Sequence, residues 1–427
     1  MRHWAVCLVG LGLLCAVGLP AQDSPWKPSF SAFGTLGEAQ SSTDLVEFRA
    51  NPDQLRGLTR KPSYFLDTRF GLQASMELDP TLFATVQVVS RYRFDGTYRP
   101  LFTLATLTWN PLPALKVRGG VFPLDAVPSG EYPDVGYSCL WVRPPVETFL
   151  GARNPIVGLD LRATFPAGAN STLEWRGFGG RYLGSVAVDH VGPMSIAGAP
   201  DLGTWLKFSR GPWQARVTAS LIGNTHSFPQ PIPTLQAVLQ ALAVELHDPQ
   251  LNQAAADLWT EGRNTWGMEA DLTFQQGPVQ AEALLAGIRS HAYLIPPDRF
   301  GYISLGYRVG QVVPYGVFAR NVSERVQPMP LGILPAITAG PLAPVAQGIV
   351  ASLTNAVDQT AKDQNTYSLG LRWDFSRHAD LKFQVDTVRA HNAWGLEYNP
   401  SPDPAATWNG HMTVTSVCLD FILGGGR

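Results

Sequence analysis

Cysteine is nearly absent: the 427-residue chain has four, and Cys7 and Cys15 sit in the apolar run Trp4 to Leu19 that follows Arg2. That run ends at the small residue Ala21 before Gln22-Asp23-Ser24, the layout of a secretory signal. Residues 1–21 are therefore expected to be a signal peptide and 22–427 the exported body. Only Cys139 and Cys418 remain to that body, which excludes a disulfide scaffold. Lysine is scarce as well, at positions 27, 61, 116, 207, 362 and 382. Losing Arg2 takes the 32 basic side chains to 31 against 34 acidic ones, with no basic block, so nucleic acid is not an expected partner. After the signal no stretch approaches the ~18 consecutive apolar residues of a membrane-spanning helix. Neither a nucleophile motif nor a metal-ligand spacing such as HExxH occurs, so no catalysis, metal or cofactor is expected.

What the chain does contain is alternation with the period of a half-buried strand. From Phe65 to Glu77, Asp67, Arg69, Gly71, Gln73, Ser75 and Glu77 share one face, and Leu66, Phe70, Leu72, Ala74 and Met76 the other. Ile156 to Phe165 and Thr366 to Phe375 repeat the pattern, and further runs start near Phe30, Phe83, Leu101, Leu115, Ser171, Leu202, Trp213, Thr265, Val279, Tyr302, Val312, Leu381 and His411. These make about sixteen strands, an even number.

The connections alternate between short and long. Asp79-Pro80, Asn110 to Pro113, Ala167 to Asn170, Arg210 to Pro212, Gln275 to Pro278, Gly310-Gln311 and Ser376 to Asp380 are turn-like. Between them lie long connections, including Gln40 to Tyr64, Asp125 to Pro155, His226 to Arg263 and Gln327 to Asn365. All the tight turns therefore fall at one end of an up-and-down sheet. A β-propeller would repeat its blade at about forty residues, and no such repeat occurs. Short turns at one end, longer loops at the other and an apolar outer band are the pattern of an outer-membrane barrel. Phe83, Trp109, Phe165, Trp213, Phe274, Phe375 and Phe421, near the tight turns, are the expected girdle. The expected fold is all-β, a transmembrane antiparallel barrel whose charged face lines a lumen wide enough for water.

Two stretches resemble the outer-membrane porins: FSAFGTLG as an opening strand, and LKVRGGVFPL followed by DVGYSCLWVRPP as the fifth strand and the loop after it. The resemblance implies a channel for passive diffusion of small hydrophilic or charged solutes, an outer-membrane location among lipid and lipopolysaccharide, and a homotrimer. The alternative is a barrel with an adhesive, structural or enzymatic role. Porins usually close on an aromatic, whereas Phe421-Ile422-Leu423 is followed here by Gly424 to Arg427.

The resemblance makes residues 125–155 a constriction loop inside the lumen. This loop carries Asp125, Glu131, Asp134 and Glu147 against Arg143 and Arg153. Neighbouring strands place Arg69, Arg91, Arg93, Lys116, Arg118 and Arg162 on the charged face, so an acidic loop is expected to oppose a basic wall, as pores that sort ions do. Tyr137 and Trp141 are expected anchors, and Pro144-Pro145 a stiffener. The long connections 226–263 and 327–365 carry helical spacing: Leu235, Val238, Leu239, Leu242 and Leu246 after a Thr234 cap, Asp248-Pro249 opening a second helix, and Val345, Ile349, Leu353, Ala356 and Val357 after Pro344. They are expected to pack on each other over the mouth.

Overall fold

The computed structural model describes residues 28–424 apart from 126–127, 129, 149–152, 189–191, 227, 229, 325–328 and 392–407. The signal-peptide reading of residues 1–21 lies outside the described residues. Eighteen strands follow one another: β1 (Pro28–Ser41), β2 (Arg69–Asp79), β3 (Leu82–Arg91), β4 (Leu101–Leu112), β5 (Leu115–Phe122), β6 (Ile156–Pro166), β7 (Ser171–Tyr182), β8 (Ser185–Val188), β9 (Gly192–Ser195), β10 (Pro200–Arg210), β11 (Trp213–Gly223), β12 (Asn264–Gln276), β13 (Val279–Ser290), β14 (Asp298–Tyr307), β15 (Val312–Ser323), β16 (Asp363–Trp373), β17 (Ala379–Ala390) and β18 (His411–Gly424). All but β8 and β9 form one closed antiparallel barrel of sixteen strands. The barrel shuts where Thr35 of β1 stands opposite Asp420 of β18. β8 and β9 are a separate hairpin in the connection from β7 to β10.

Alternation assigns the faces as expected. On β6, Leu159 is 65% exposed and points outward while its neighbour Asp160 is buried inside. Leu285 and Leu369 stand out equally bare at 73% and 71%, as residues meant for lipid do. Among the described residues no helix is long and apolar enough to cross a membrane. At the tight-turn end Trp213 packs on Phe274 with ring centroids 4.5 Å apart, and Trp373 on Phe375 at 5.4 Å. Phe83 departs from that girdle. Its partner Glu77 shares the register of Arg69 and Arg91, so Phe83 lies on the lumen side. β2 also begins at Arg69, four residues after the alternation starts, because the preceding segment belongs to the loop.

Among the described residues the long connections hold three α-helices, α1 (Ile232–Glu245), α2 (Pro249–Asp257) and α3 (Ala343–Thr360). Asp248 caps α2 as expected, accepting from Gln250 N at 2.9 Å, with Pro249 in the first turn. Thr234 does not cap α1: it lies inside the helix, and its hydroxyl bonds Gln230 Oε1 at 2.6 Å. Leu239 and Leu242 of α1, Leu251 of α2 and Ile349 and Leu353 of α3 join one apolar cluster with Leu294 and Leu334. The helical loops thus pack on each other. A second apolar cluster lies inside the barrel: Val46, Phe48, Ala50, Leu58 and Leu66 of the connection 42–68 meet Val388, Met412 and Val414 on the inner face of β17 and β18. The inner wall turns apolar there because a loop, not water, covers it.

Outward residues must tolerate lipid and inward ones water. Leu285→Arg, at the middle of β13, should cost about 2–4 kcal/mol of stability near the bilayer midplane, read as an earlier urea unfolding midpoint in vesicles. Thr164→Arg, on the lumen face beside Glu174, should leave that midpoint close to wild type.

Candidate functional site

The connection from β5 to β6 does not stay at the mouth. Gly136–Ser138 and Val146–Thr148 form single turns of 3-10 helix with Pro144-Pro145 between them, and the loop descends along the wall made by β14, β16, β17, β18 and β1. Tyr137 Oη donates to the carbonyl of Arg377 at 3.0 Å, and Arg377 belongs to the tight turn between β16 and β17. The loop therefore reaches from the long-loop end of the lumen to its tight-turn end. On the way Arg372 donates to the carbonyls of Tyr137 and Cys139 at 2.9 and 2.8 Å, and Lys382 Nζ to that of Gly136 at 2.7 Å. Trp141 Nε1 donates to Ser304 Oγ at 2.8 Å, and Val142 N to Gln384 Oε1 at 3.0 Å. Gly136 must be glycine, since a Cβ would collide with Asp420 and Thr35.

Arg143 is the deepest fastener. Its guanidinium bridges Asp67 at 2.6 Å and Asp386 at 2.9 Å and donates to Ser416 Oγ at 2.6 Å, with all three acidic and basic partners buried. Burial opposes its charge, but Asp67 and Asp386 outweigh that and hold the guanidinium more basic than usual. Removing one partner of such a buried set strands the others, at a cost of about 3–5 kcal/mol.

The other flank of the loop meets β5, β6, β7, β11 and β12. Asp125 bonds Arg176 at 2.5 Å and Arg216 at 3.1 Å; Glu131 bonds Arg118 at 3.3 Å and Arg162 at 3.2 Å. The wall supplies carboxylates of its own: Asp160 to Arg118 and Arg176, Glu174 to Arg162 and Lys207, Glu269 and Asp271 to Arg216. Burial works against the charge of Glu131, yet Arg162 and Arg118 hold it below the usual carboxylate range, while burial of Asp125 prevails over its arginines and raises it. Arg162, Glu131, Glu174 and Lys207 keep 18–29% of their side-chain surface open. Charges of both signs thus line the water-exposed part of the lumen.

No family model and no curated protein matches the chain. Solved structures do. The outer membrane channel DcaP of Acinetobacter baumannii aligns over 94% of this chain and 99% of its own, with a TM-score of 0.53 at 10% identity. Salmonella typhi OmpF aligns over 93% and 98% with a TM-score of 0.52 at 10% identity. The anion-selective porin from Comamonas acidovorans aligns over 93% and 100% with a TM-score of 0.50 at 11% identity. The chain has the fold of the outer-membrane porins. A closed barrel with a bare apolar band belongs in the outer membrane, and identities this low speak for the fold alone.

Within this porin barrel the residues expected to oppose one another across water are in contact. Arg91 pairs with Asp53 and, at 3.3 Å, with Asp134, and Arg69 Nε donates to the Asp134 carbonyl at 2.8 Å; all are buried. Arg91 therefore clamps the loop 123–155 and the connection 42–68 to β3. Arg153 lies in the same buried group, pushed down to about 10 by burial and by repulsion from Arg69. Arg93 needs correction: β3 ends at Arg91, and Arg93 stands in the external turn with its guanidinium over the Phe94 ring. Lys116 is on the lumen face near the tight turns, exposed, where it stands opposite Arg162. Arg118 and Arg162 are where alternation put them, but in the network of Asp125 and Glu131 rather than beside Arg69 and Arg91. Sequence reasoning missed Arg176, Arg216, Asp160, Glu174, Glu269 and Asp271. Their signal was available, since each lies at an inward position of its strand.

Glu147 is the exception among the loop charges. It is fully buried against β15 and β16, accepting from Thr366 and from Gln364 Nε2 at 2.9 Å, and its backbone carbonyl accepts from Asn321 at 3.2 Å. Among the described residues no cation pairs with it, and its Oε2 has no hydrogen-bond partner. Burial raises its pKa despite the bonds from Thr366 and Gln364. A carboxyl raised in the folded state stabilises fully below the ordinary carboxylate range, and that stabilisation is lost as pH climbs through the raised value. Glu147→Gln keeps the acceptor without the titration. The wild type should therefore unfold at a lower temperature at pH 8 than at pH 5, and the variant should show a smaller difference, read by heat-dependent gel mobility at the two pH values.

Proposed function

We propose that this chain is a porin in function as well as in fold: a water-filled outer-membrane channel for passive diffusion of small hydrophilic solutes, narrowed by the loop 123–155. One observation carries the reading. The loop after β5 lies inside the lumen, bonded from Asp125, against Arg176 and Arg216 of the wall, to Tyr137 at the tight-turn end. A barrel of sixteen strands needs no such plug to stay closed, because β1 and β18 close it. A loop held by buried ion pairs at fixed depth sets the size of the path that remains. Arg162 of β6, Glu174 of β7, Lys207 of β10 and Glu131 of the loop border part of that path, each keeping side-chain surface open to water.

Most charges bordering the path are paired with opposite charges within 3.8 Å, while Lys116 stands exposed opposite Arg162. A matched lining exerts little net field on a passing ion, so selection here is by size and polarity more than by sign. Shortening Tyr137 to Glu147 to a glycine linker should raise single-channel conductance several-fold in planar bilayers, provided heat-modifiable mobility shows that the barrel still closes. A folded variant with wild-type conductance would place the narrowest point elsewhere.

We propose further that the barrel assembles as a homotrimer, a reading supported by the porin fold and by an apolar outer band able to pack against copies of itself. Chemical cross-linking in mild detergent should yield a three-subunit species. A product confined to monomer would refute it.

A further inference from the structure

Below the loop tip, on the tight-turn half of the lumen, a cavity of about 380 Å³ separates the segment 137–141 from β12, β13 and β14. That volume is in the range that holds small organic ligands. The strand register maps its wall. Gln275 stands opposite Gln280, so two primary amides sit side by side across the β12–β13 ladder. Two residues along, Thr273 stands opposite Glu282, and Glu282 in turn opposite Ser304 of β14. The loop supplies the facing wall through Tyr137 and Trp141.

The charges at the edges of this cavity are already engaged. Arg308 donates to Asp374 at 2.7 Å, Arg372 bonds Asp374 at 2.7 Å and Asp380 at 3.0 Å, and Glu282 accepts from the Tyr302 hydroxyl. Arg308 follows Tyr307, which stands opposite Val279. Its level is therefore four residue steps from that of Glu282, ~13 Å at ~3.3 Å per residue. Arg308 already holds Asp374, so a simple anion would find its counter-charge taken, while Glu282 at the other edge is bonded by the neutral Tyr302 hydroxyl. What faces the cavity between them is neutral: amide N–H donors, amide carbonyl acceptors and hydroxyls able to serve as either. A sugar hydroxyl likewise both donates and accepts, while the loop's rings are engaged elsewhere, Tyr137 beneath the Arg372 guanidinium and Trp141 edge-on against Tyr302.

We infer that this cavity is a binding subsite for small neutral polyhydroxylated solutes, monosaccharides and disaccharides, on the path through the barrel. The inference rests on the channel reading above. The test uses purified full-length protein with maltose and glucose as probes, by calorimetry in detergent and by single-channel current in planar bilayers. Both sugars should bind weakly and saturably, and maltose should interrupt the current. Gln275→Ala combined with Gln280→Ala should weaken binding about tenfold, as expected for two lost hydrogen bonds, while Leu305→Ala on the lipid face should not. Conducting channels that maltose neither blocks nor binds overturn the subsite, as does binding indifferent to the glutamine change or stronger for gluconate than for glucose. Absence of any conductance in a closed barrel would instead sink the channel reading, with calorimetry still reporting on the cavity.

Discussion

Lipid offers no hydrogen-bond partner to a backbone, and this constraint governs the molecule. A strand edge left open in hydrocarbon costs several kcal/mol for each orphaned group, so β1 has to pair with β18 and the sheet has to shut. Closure then divides every strand into an outward face that must be apolar and an inward face free to be polar. Leu159, Leu285 and Leu369 are bare in isolation for this reason. The lumen exists because sixteen strands cannot close more tightly than their number allows.

What fills that lumen answers to a second constraint, that a charge taken out of water needs a partner. The loop after β5 brings Asp125, Glu131, Asp134 and Arg143 inside, and each meets an opposite charge on the wall or on a neighbouring loop. Arg143 shows how the two constraints combine. Asp67 precedes β2 and Asp386 lies on β17, segments far apart in the chain that closure brings to one side of the barrel, where a single guanidinium spans them. Among the described residues Glu147 lacks such a partner and is held by neutral donors.

The connection 42–68 extends the same logic with apolar groups. Phe48 and Leu58 pack on Val388, Met412 and Val414 inside the barrel, and Pro52 O accepts from Ala187 N at 2.7 Å on the β8–β9 hairpin. Two loops therefore occupy the lumen, the first fastened by charge and the second by hydrophobic contact together with the Asp53–Arg91 and Asp67–Arg143 pairs. Together they narrow the lumen. The cavity beside Gln275 and Gln280 lies between the loop tip and β12 to β14, with Arg308 and Arg372 at its edge held by Asp374.

Periodicity alone settled the architecture. Alternation at every second residue marked all sixteen barrel strands and their faces, because a lipid-facing and a water-facing side chain obey opposite solvation rules and no neighbour in space is needed to state them. Turn residues likewise settled which end carries the tight connections. Tertiary structure decided the site. Arg91 and Arg118 both read as lumen-facing arginines, yet Arg91 is buried against Asp53 and Asp134 while Arg118 joins Glu131 and Asp160. Phe83 reads as girdle and faces inward, and Arg93 reads as wall and stands in a turn. The inward face of a strand states only that a side chain enters the lumen. Which opposite charge it meets depends on where closure and the descending loop place residues hundreds of positions apart, and pairing energy falls too steeply with distance for spacing along the chain to predict it.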